Sequence, residues 1–225
     1  NNKGNILPLH SDKEMLPMAL LEVGDAGETD VLAKQLEKHT SLVRFRLHKE
    51  MAEAQGKVLR DSLSKYRRVI VAVAEQRLAP FQPFFAALAA DKKAAPAIYI
   101  FFTPGKMMLQ IHRAVSAAQS VVLAHSAGHD VQQQVADVLF ARASADGRLS
   151  ASLGGLFPTG AGVTITPHTP THFNPEEYGM SSIALRRIDS IAKRGIQEGA
   201  YPGCQIVILK DGKTMYDHAF GTHAG

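Results

Sequence analysis

The sharpest chemical signal in the chain is Val121-Val122-Leu123-Ala124-His125-Ser126-Ala127-Gly128, an apolar run that ends in small turn residues and opens a helical pattern. A serine on a sharp strand-to-helix turn, as in Gly-x-Ser-x-Gly, is exposed for nucleophilic attack; Ala124 stands here for the first glycine. On that reading Ser126 is a nucleophile and His125 its neighbour. The chemistry also needs a carboxylate and then a histidine on loops after later strands of the same sheet. Downstream lie one helical stretch, a glycine-rich segment and a proline-rich segment. Ser126 therefore reads better as a small turn residue ahead of a helix.

Other constellations are weaker. Ser62–Lys65 and Ser190–Lys193 both match Ser-x-x-Lys, a spacing that sets a lysine one helical turn from a serine whose proton it can accept. Both sit inside amphipathic helical stretches, where they read as solvated surface. His125/His129 and His168/His172 are spaced i, i+4, the spacing of a helical metal pair. The first pair straddles the strand-to-helix turn and the second lies among prolines, so neither is expected to hold an ion. Gly24-Asp25-Ala26-Gly27 follows the first strand without the third glycine of a phosphate-cradling loop, which argues against a nucleotide. No catalytic, cofactor-binding or metal-binding residue is assigned on these grounds, and no cofactor is expected.

The elements that must position these residues follow from hydrophobic periodicity. Strands are predicted at Met18–Val23, Leu42–Leu47, Val69–Ala74, Ala97–Phe102 and Ser120–His125. Helices are predicted near Thr29–Lys38, Lys49–Tyr66, Phe81–Ala90, Lys106–Ala117 and Asp130–Arg142, with Thr29 as a candidate N-cap. The third to fifth strands are almost wholly apolar, as when a sheet is covered on both faces. This alternation predicts an α/β fold with a doubly wound, mostly parallel sheet. Gly147–Gly162 reads as extended chain and turn, and residues 163–180 as a proline-rich linker. Ser181–Glu198 reads as a helix carrying Ile183, Ile188, Ile191 and Ile196, ended by Gly199. Cys204–Leu209 and Thr214–Phe220 read as a hairpin on the Asp211-Gly212 turn. A helix and one hairpin bury too little to stand alone, so this segment is expected to dock or to continue into further chain.

Composition narrows the function classes. The 225 residues are 45% hydrophobic and 20% charged, as in an ordinary globular protein. The net charge of +4 divides evenly between residues 1–180 and 181–225, leaving no basic stripe for nucleic acid. Cys204 is the single cysteine, so no intrachain disulfide forms. No run of about eighteen apolar residues marks a membrane span. The chain opens with Asn1-Asn2-Lys3-Gly4, with neither an initiator methionine nor a signal peptide. It is therefore expected to be a segment of a longer polypeptide.

Within residues 1–162, Asn2-Lys3-Gly4-Asn5-Ile6-Leu7-Pro8-Leu9, Phe102-Thr103-Pro104-Gly105, Asp146-Gly147-Arg148-Leu149 and Gly160-Ala161-Gly162 occur in an order that resembles the second, α/β sandwich domain of family 3 glycoside hydrolases. Asn2-Lys3-Gly4-Asn5-Ile6-Leu7-Pro8-Leu9 is similar to the segment entering that domain, and Phe102-Thr103-Pro104-Gly105 to a strand-end turn. Gln132, Gln133 and Ala136 through Leu139-Phe140 resemble its last helix. Asp146-Gly147-Arg148-Leu149 resembles a Gly-Arg-Leu-Pro signature, with Ser150 in place of proline, and Gly160-Ala161-Gly162 the Gly-x-Gly that follows. The resemblance implies a retaining, two-carboxylate glycosidase whose nucleophilic Asp belongs to an N-terminal barrel outside this chain. In some members an insertion after the third strand lends the acid/base Glu. Here Ala74-Glu75-Gln76-Arg77-Leu78-Ala79-Pro80 runs directly into a helix. That implies the branch typified by β-N-acetylhexosaminidases, with both catalytic groups on the barrel and no role for Glu75.

Leu185–Gly199, Ala200-Tyr201-Pro202-Gly203-Cys204-Gln205-Ile206-Val207, Asp211-Gly212-Lys213 and Phe220-Gly221 resemble the opening of serine β-lactamase-like hydrolases of class C type. That resemblance implies a nucleophilic Ser and its Lys downstream of Gly225. Together the two imply a cell-envelope or periplasmic fusion acting on amino-sugar glycans. The expected units are residues 1–162, a linker at 163–180, and 181–225 as the start of the second hydrolase. The expected partners are the absent barrel, the remainder of the second hydrolase and a glycan, with no nucleic acid and no membrane-spanning segment. On this reading the chain is an accessory, non-catalytic piece. The rival reading is a small α/β-hydrolase-like esterase acting through Ser126. A carbohydrate-binding module is disfavoured because the chain has no Trp to stack on sugar rings.

Overall fold

The computed structural model describes residues 2–3, 6–9, 17–167, 175–210 and 213–221. The chain divides into two compact units, Asn1–His168 and Thr169–Gly225.

Five short, β-branched and aromatic runs form the sheet of the first unit: β1 (Met18–Val23), β2 (Leu42–Leu47), β3 (Val69–Val73), β4 (Ala97–Phe101) and β5 (Ser120–Leu123). They lie in the order β2-β1-β3-β4-β5, every pair parallel. The crossovers carry α1 (Asp30–Glu37), α2 (Lys49–Ala54), α3 (Gly56–Leu63), α4 (Gln82–Ala90) and α5 (His112–Ala117), and α6 (His129–Leu139) follows β5. Alternate strand residues feed two cores. Leu20, Ile70, Ala72 and Ile98 pack with Leu32, Leu36 and Leu139 of α1 and α6. Leu21, Val71, Tyr99 and Phe101 pack with Leu63, Phe85 and Val115 of α3, α4 and α5. Helices on both faces make this the doubly wound α/β sheet expected from the alternation.

The strands begin where the periodicity places them, and the differences have local causes. The stretch read as a single helix over Lys49–Tyr66 is broken at Gln55, whose φ of −124° and ψ of 11° leave the helical region. Gly56, a weak helix former, follows at the junction. The stretch over Lys106–Ala117 begins as a 3₁₀ helix, Gly105–Ile111, before α5. Its buried residues Gly105, Met108 and Ile111 recur every three positions, the period at which 3₁₀ side chains align. Thr29 stands at the N-cap of α1 without capping it; its hydroxyl donates to Glu22 Oε1 at 2.6 Å instead. The strand β5 differs from β3 and β4 in that Val121, Val122 and Leu123 are only half-buried.

Beyond α6 the chain pairs with itself. Ala145 and Ile165 exchange backbone hydrogen bonds, Leu149 N–H donates to Ala161 O at 3.0 Å, and Gly160 N–H to Leu149 O at 2.8 Å. The glycine-rich stretch is thus extended and folded back, as its composition predicts. A Cβ at Gly162 would lie 2.2 Å from Gly147 O, so only glycine allows this approach.

The second unit holds α7 (Ser182–Gln197) and the antiparallel hairpin β6 (Gly203–Lys210) and β7 (Lys213–Gly221). Ser181 Oγ caps α7 by accepting Ala184 N–H at 3.3 Å. Gly199 ends the helix with a φ of +71°, and Ala200 N–H returns to Gly195 O. The buried face of α7 is Leu185 and Ala192, whereas Ile183 and Ile191 are exposed at 65% and 61%. The isoleucine stripe read from the sequence thus splits between two faces. The Asp211-Gly212 turn lies outside the described residues.

Candidate functional site

In doubly wound sheets ligands bind at the carboxyl ends of the strands, at the crevice where the winding reverses. In the order β2-β1-β3-β4-β5 that crevice lies between the ends of β1 and β3. It is closed by its own backbone. Val23 O accepts both Ala74 N–H at 2.8 Å and Glu75 N–H at 2.9 Å. Gly24 turns with a φ of +143°, and a Cβ there would lie 2.5 Å from Glu28 Oε2. That carboxylate accepts Asp25 N–H at 2.9 Å, and Asp30 lies in the first turn of α1. An anion at this helix end would meet two carboxylates, so the geometry opposes phosphate binding. Glu75 Oε1 accepts Arg77 N–H at 2.7 Å, which turns its carboxylate back onto its own loop.

The Ser126 turn lies at the end of β5. Ser126 Oγ accepts Gly128 N–H at 3.2 Å, the local bond by which serine stabilises a turn. The strained backbone falls one residue earlier, at His125 with a φ of +65°, whereas a nucleophile elbow places the strain on the serine itself. His129 begins α6, and His125 and His129 are both exposed. Among the described residues no group of three or more His, Cys, Asp or Glu could hold a metal; the His168/His172 pair lies outside them. Ser62 Oγ donates to Val58 O at 2.9 Å, and Ser190 and Lys193 are exposed on α7. The geometry brings no serine, base and carboxylate together among the candidates read from the sequence.

Three polar clusters are visible only in the fold. Gln132 on α6 is buried; its Oε1 accepts Leu32 N–H at 3.0 Å, and its Nε2 donates to Glu28 O at 2.8 Å and Ala127 O at 2.6 Å. One side chain thus ties the loop after β1 to the loop after β5. Glu22, buried on β1, accepts Arg44 Nε at 3.0 Å, Arg44 Nη2 at 2.7 Å and the Thr29 hydroxyl. Arg44 also pairs with Asp30. These bonds hold the Arg44 guanidinium more firmly protonated than usual and keep Asp30 below the ordinary carboxylate value, chiefly through the Arg44 hydrogen bond. In the second unit the Tyr216 hydroxyl donates to Asp189 Oδ1 at 2.5 Å, and His218 Nδ1 lies 3.6 Å from the same oxygen. Burial and the Asp189 bond push the Tyr216 hydroxyl up to about 12. The signal for the second cluster was a charged Glu22 inside an apolar strand, which demands a partner when buried; the partner's identity needs the strand order.

No protein-family model and no curated protein matches this chain. Among solved structures it is similar to a glycoside hydrolase family 3 β-N-acetylglucosaminidase from Paenibacillus sp. str. FPU-7, with a TM-score of 0.45 and 16% identity. The likeness covers 70% of this chain and 30% of that one. No helix among the described residues is long and apolar enough to cross a membrane.

Proposed function

We propose that this chain is an accessory, non-catalytic α/β domain of a family 3 glycoside hydrolase of β-N-acetylglucosaminidase type, joined to the opening helix and hairpin of a serine β-lactamase-like hydrolase. The observation that carries the non-catalytic reading is the arrangement at the strand ends. Ser126 is engaged with Gly128 N–H, Glu75 with Arg77 N–H, and at the crevice between β1 and β3 Val23 O is taken by Ala74 and Glu75 N–H while the Glu28 carboxylate accepts Asp25 N–H. Glycoside hydrolysis needs two carboxyl groups facing one bond, whereas here Glu28 is held by Asp25 N–H, Asp30 by Arg44 and Glu75 by Arg77 N–H. The family reading is supported by the sequence motifs in their order, and the pairing of Leu149 with Gly160 and Ala161 gives two of those motifs a shared structural purpose. In the intact polypeptide the domain covers one side of a barrel that carries both catalytic groups. The polypeptide works in the cell envelope on amino-sugar glycan.

Hydrolysis of a chromogenic N-acetylglucosaminide, nitrocefin and a short-chain ester separates the readings. The chain alone is expected to be inert on all three, while the longer polypeptide cleaves the glycoside. Ester cleavage by the chain alone, abolished by Ser126→Ala, would overturn the proposal.

A further inference from the structure

At the end of the sheet opposite the Ser126 turn, where β4 and β5 begin, the loops after α4 and α5 border a cavity of about 280 Å³. Its apolar walls include Leu88, Ala95, Pro96 and Ala118, and its polar side chains are Asp91, Tyr99 and Gln119. The Gln119 backbone is fixed on both sides. Its N–H donates to Ala97 O at 3.0 Å, and its carbonyl accepts Lys3 N–H at 2.7 Å. Its side-chain Oε1 is nevertheless buried with no hydrogen-bond partner among the described residues. A buried acceptor left unpaired bears the full cost of its desolvation. In the wall of a cavity, such an acceptor calls for a donor carried by whatever enters.

The walls favour a cation. Asp91 is the C-cap residue of α4, and its Oδ1 accepts Lys93 N–H at 2.8 Å. Both α4 and α5 end at this cavity, and neither has a basic residue in its last turn. The last carbonyls of a helix carry partial negative charge and attract cations. Lys3 shows that attraction nearby, with Nζ donating to Ser116 O of α5 at 2.5 Å. Lys92 and Lys93 follow Asp91 but are exposed and outside the cavity walls. An ammonium group supplies three donors and no acceptor, and alanine and proline walls suit a short hydrocarbon body. We propose that this cavity binds a small primary amine. Its ammonium donates to Gln119 Oε1 in the field of Asp91 and the α4 end, and its apolar body lies against Ala95, Pro96 and Ala118. The volume exceeds the roughly 150 Å³ that admits benzene, so a single ring fits. This site stands whether or not the longer polypeptide is a glycosidase.

Titration of the isotope-labelled chain with benzylamine, followed by NMR, tests this, with benzyl alcohol as the uncharged counterpart. Benzylamine is expected to shift the Gln119 side-chain amide saturably. It should bind about two- to fivefold more tightly than benzyl alcohol, the increment of a partly exposed charge pair. Asp91→Asn should remove that preference. Gln119→Leu is expected to weaken benzylamine binding about tenfold, as loss of a hydrogen bond from a charged donor requires. Because it removes an unpaired buried acceptor, the same variant should raise the urea midpoint of the unligated chain. Gln119→Glu keeps an acceptor and adds charge, and should bind benzylamine at least as tightly as the parent chain. Equal binding of the two ligands, shifts that never saturate, or undiminished binding by Gln119→Leu overturns the proposal. A lowered urea midpoint in Gln119→Leu also overturns it, by giving Oε1 a structural role instead.

Discussion

The central strand of the first unit and the first strand of the second have nearly the same kind of sequence but different surroundings. β3 reads Val69-Ile70-Val71-Ala72-Val73, and every residue is buried. β6 reads Gly203-Cys204-Gln205-Ile206-Val207-Ile208-Leu209-Lys210, and its burial alternates, with Val207 and Leu209 exposed at 46% and 61%. β3 has a helical layer on each face; β6 alternates exposed and half-buried residues, so at most one of its faces is covered among the described residues. An apolar run states that a strand can be buried on both sides. Whether it is depends on how many layers the rest of the chain supplies.

This comparison can be broken at several points. Phe85→Ala, in the fully buried layer against β3 and β4, is expected to cost about 3–5 kcal/mol in urea unfolding. A loss below about 1 kcal/mol would mean that the core is loosely packed. Gln132→Ala leaves the buried Leu32 N–H and the partly buried carbonyls bonded at Glu28 and Ala127 without their partner and should cost about 1–3 kcal/mol. Gly162→Ala drives a methyl into Gly147 O and should cost about 1–3 kcal/mol, with tryptic cleavage appearing at Arg148. In contrast, Val207→Thr and Leu209→Thr on β6 should change unfolding by no more than about 0.5 kcal/mol. A large loss there would reveal a second layer over that face.

Proton titration sharpens the contrast within the second unit. Tyr216 has a raised pKa, so what its hydroxyl contributes is present below pH 10 and lost as the pH rises through about 12. Asp189 has a lowered pKa, chiefly through the Tyr216 hydrogen bond. Its contribution is therefore present above the ordinary carboxylate value and lost as the pH falls through the lowered one. Ultraviolet titration should show, beside the buried Tyr99 that burial also raises, a second late-ionising tyrosine that Tyr216→Phe removes and Asp189→Asn shifts toward 10.

The parallel sheet was legible because β-branched runs such as Val69–Val73 alternate with amphipathic stretches, and both periods depend on sequence neighbours alone. The helix break at Gln55 and the 3₁₀ turn at Gly105–Ile111 were not, because they answer to packing. The Ser126 turn was located correctly, but the residue that takes the positive φ is His125, and one position decides whether a serine is aimed or merely turns. Glu22, Arg44 and Gln132 have partners distant in sequence, so their pairing could not be read before the strand order was known.

The most direct test of the proposal that this chain is non-catalytic is labelling with a fluorophosphonate probe followed by peptide mapping. The account predicts no modified residue, with Ser126 left in its bond to Gly128 N–H. A stoichiometric adduct on Ser126 that Ser126→Ala abolishes would contradict it.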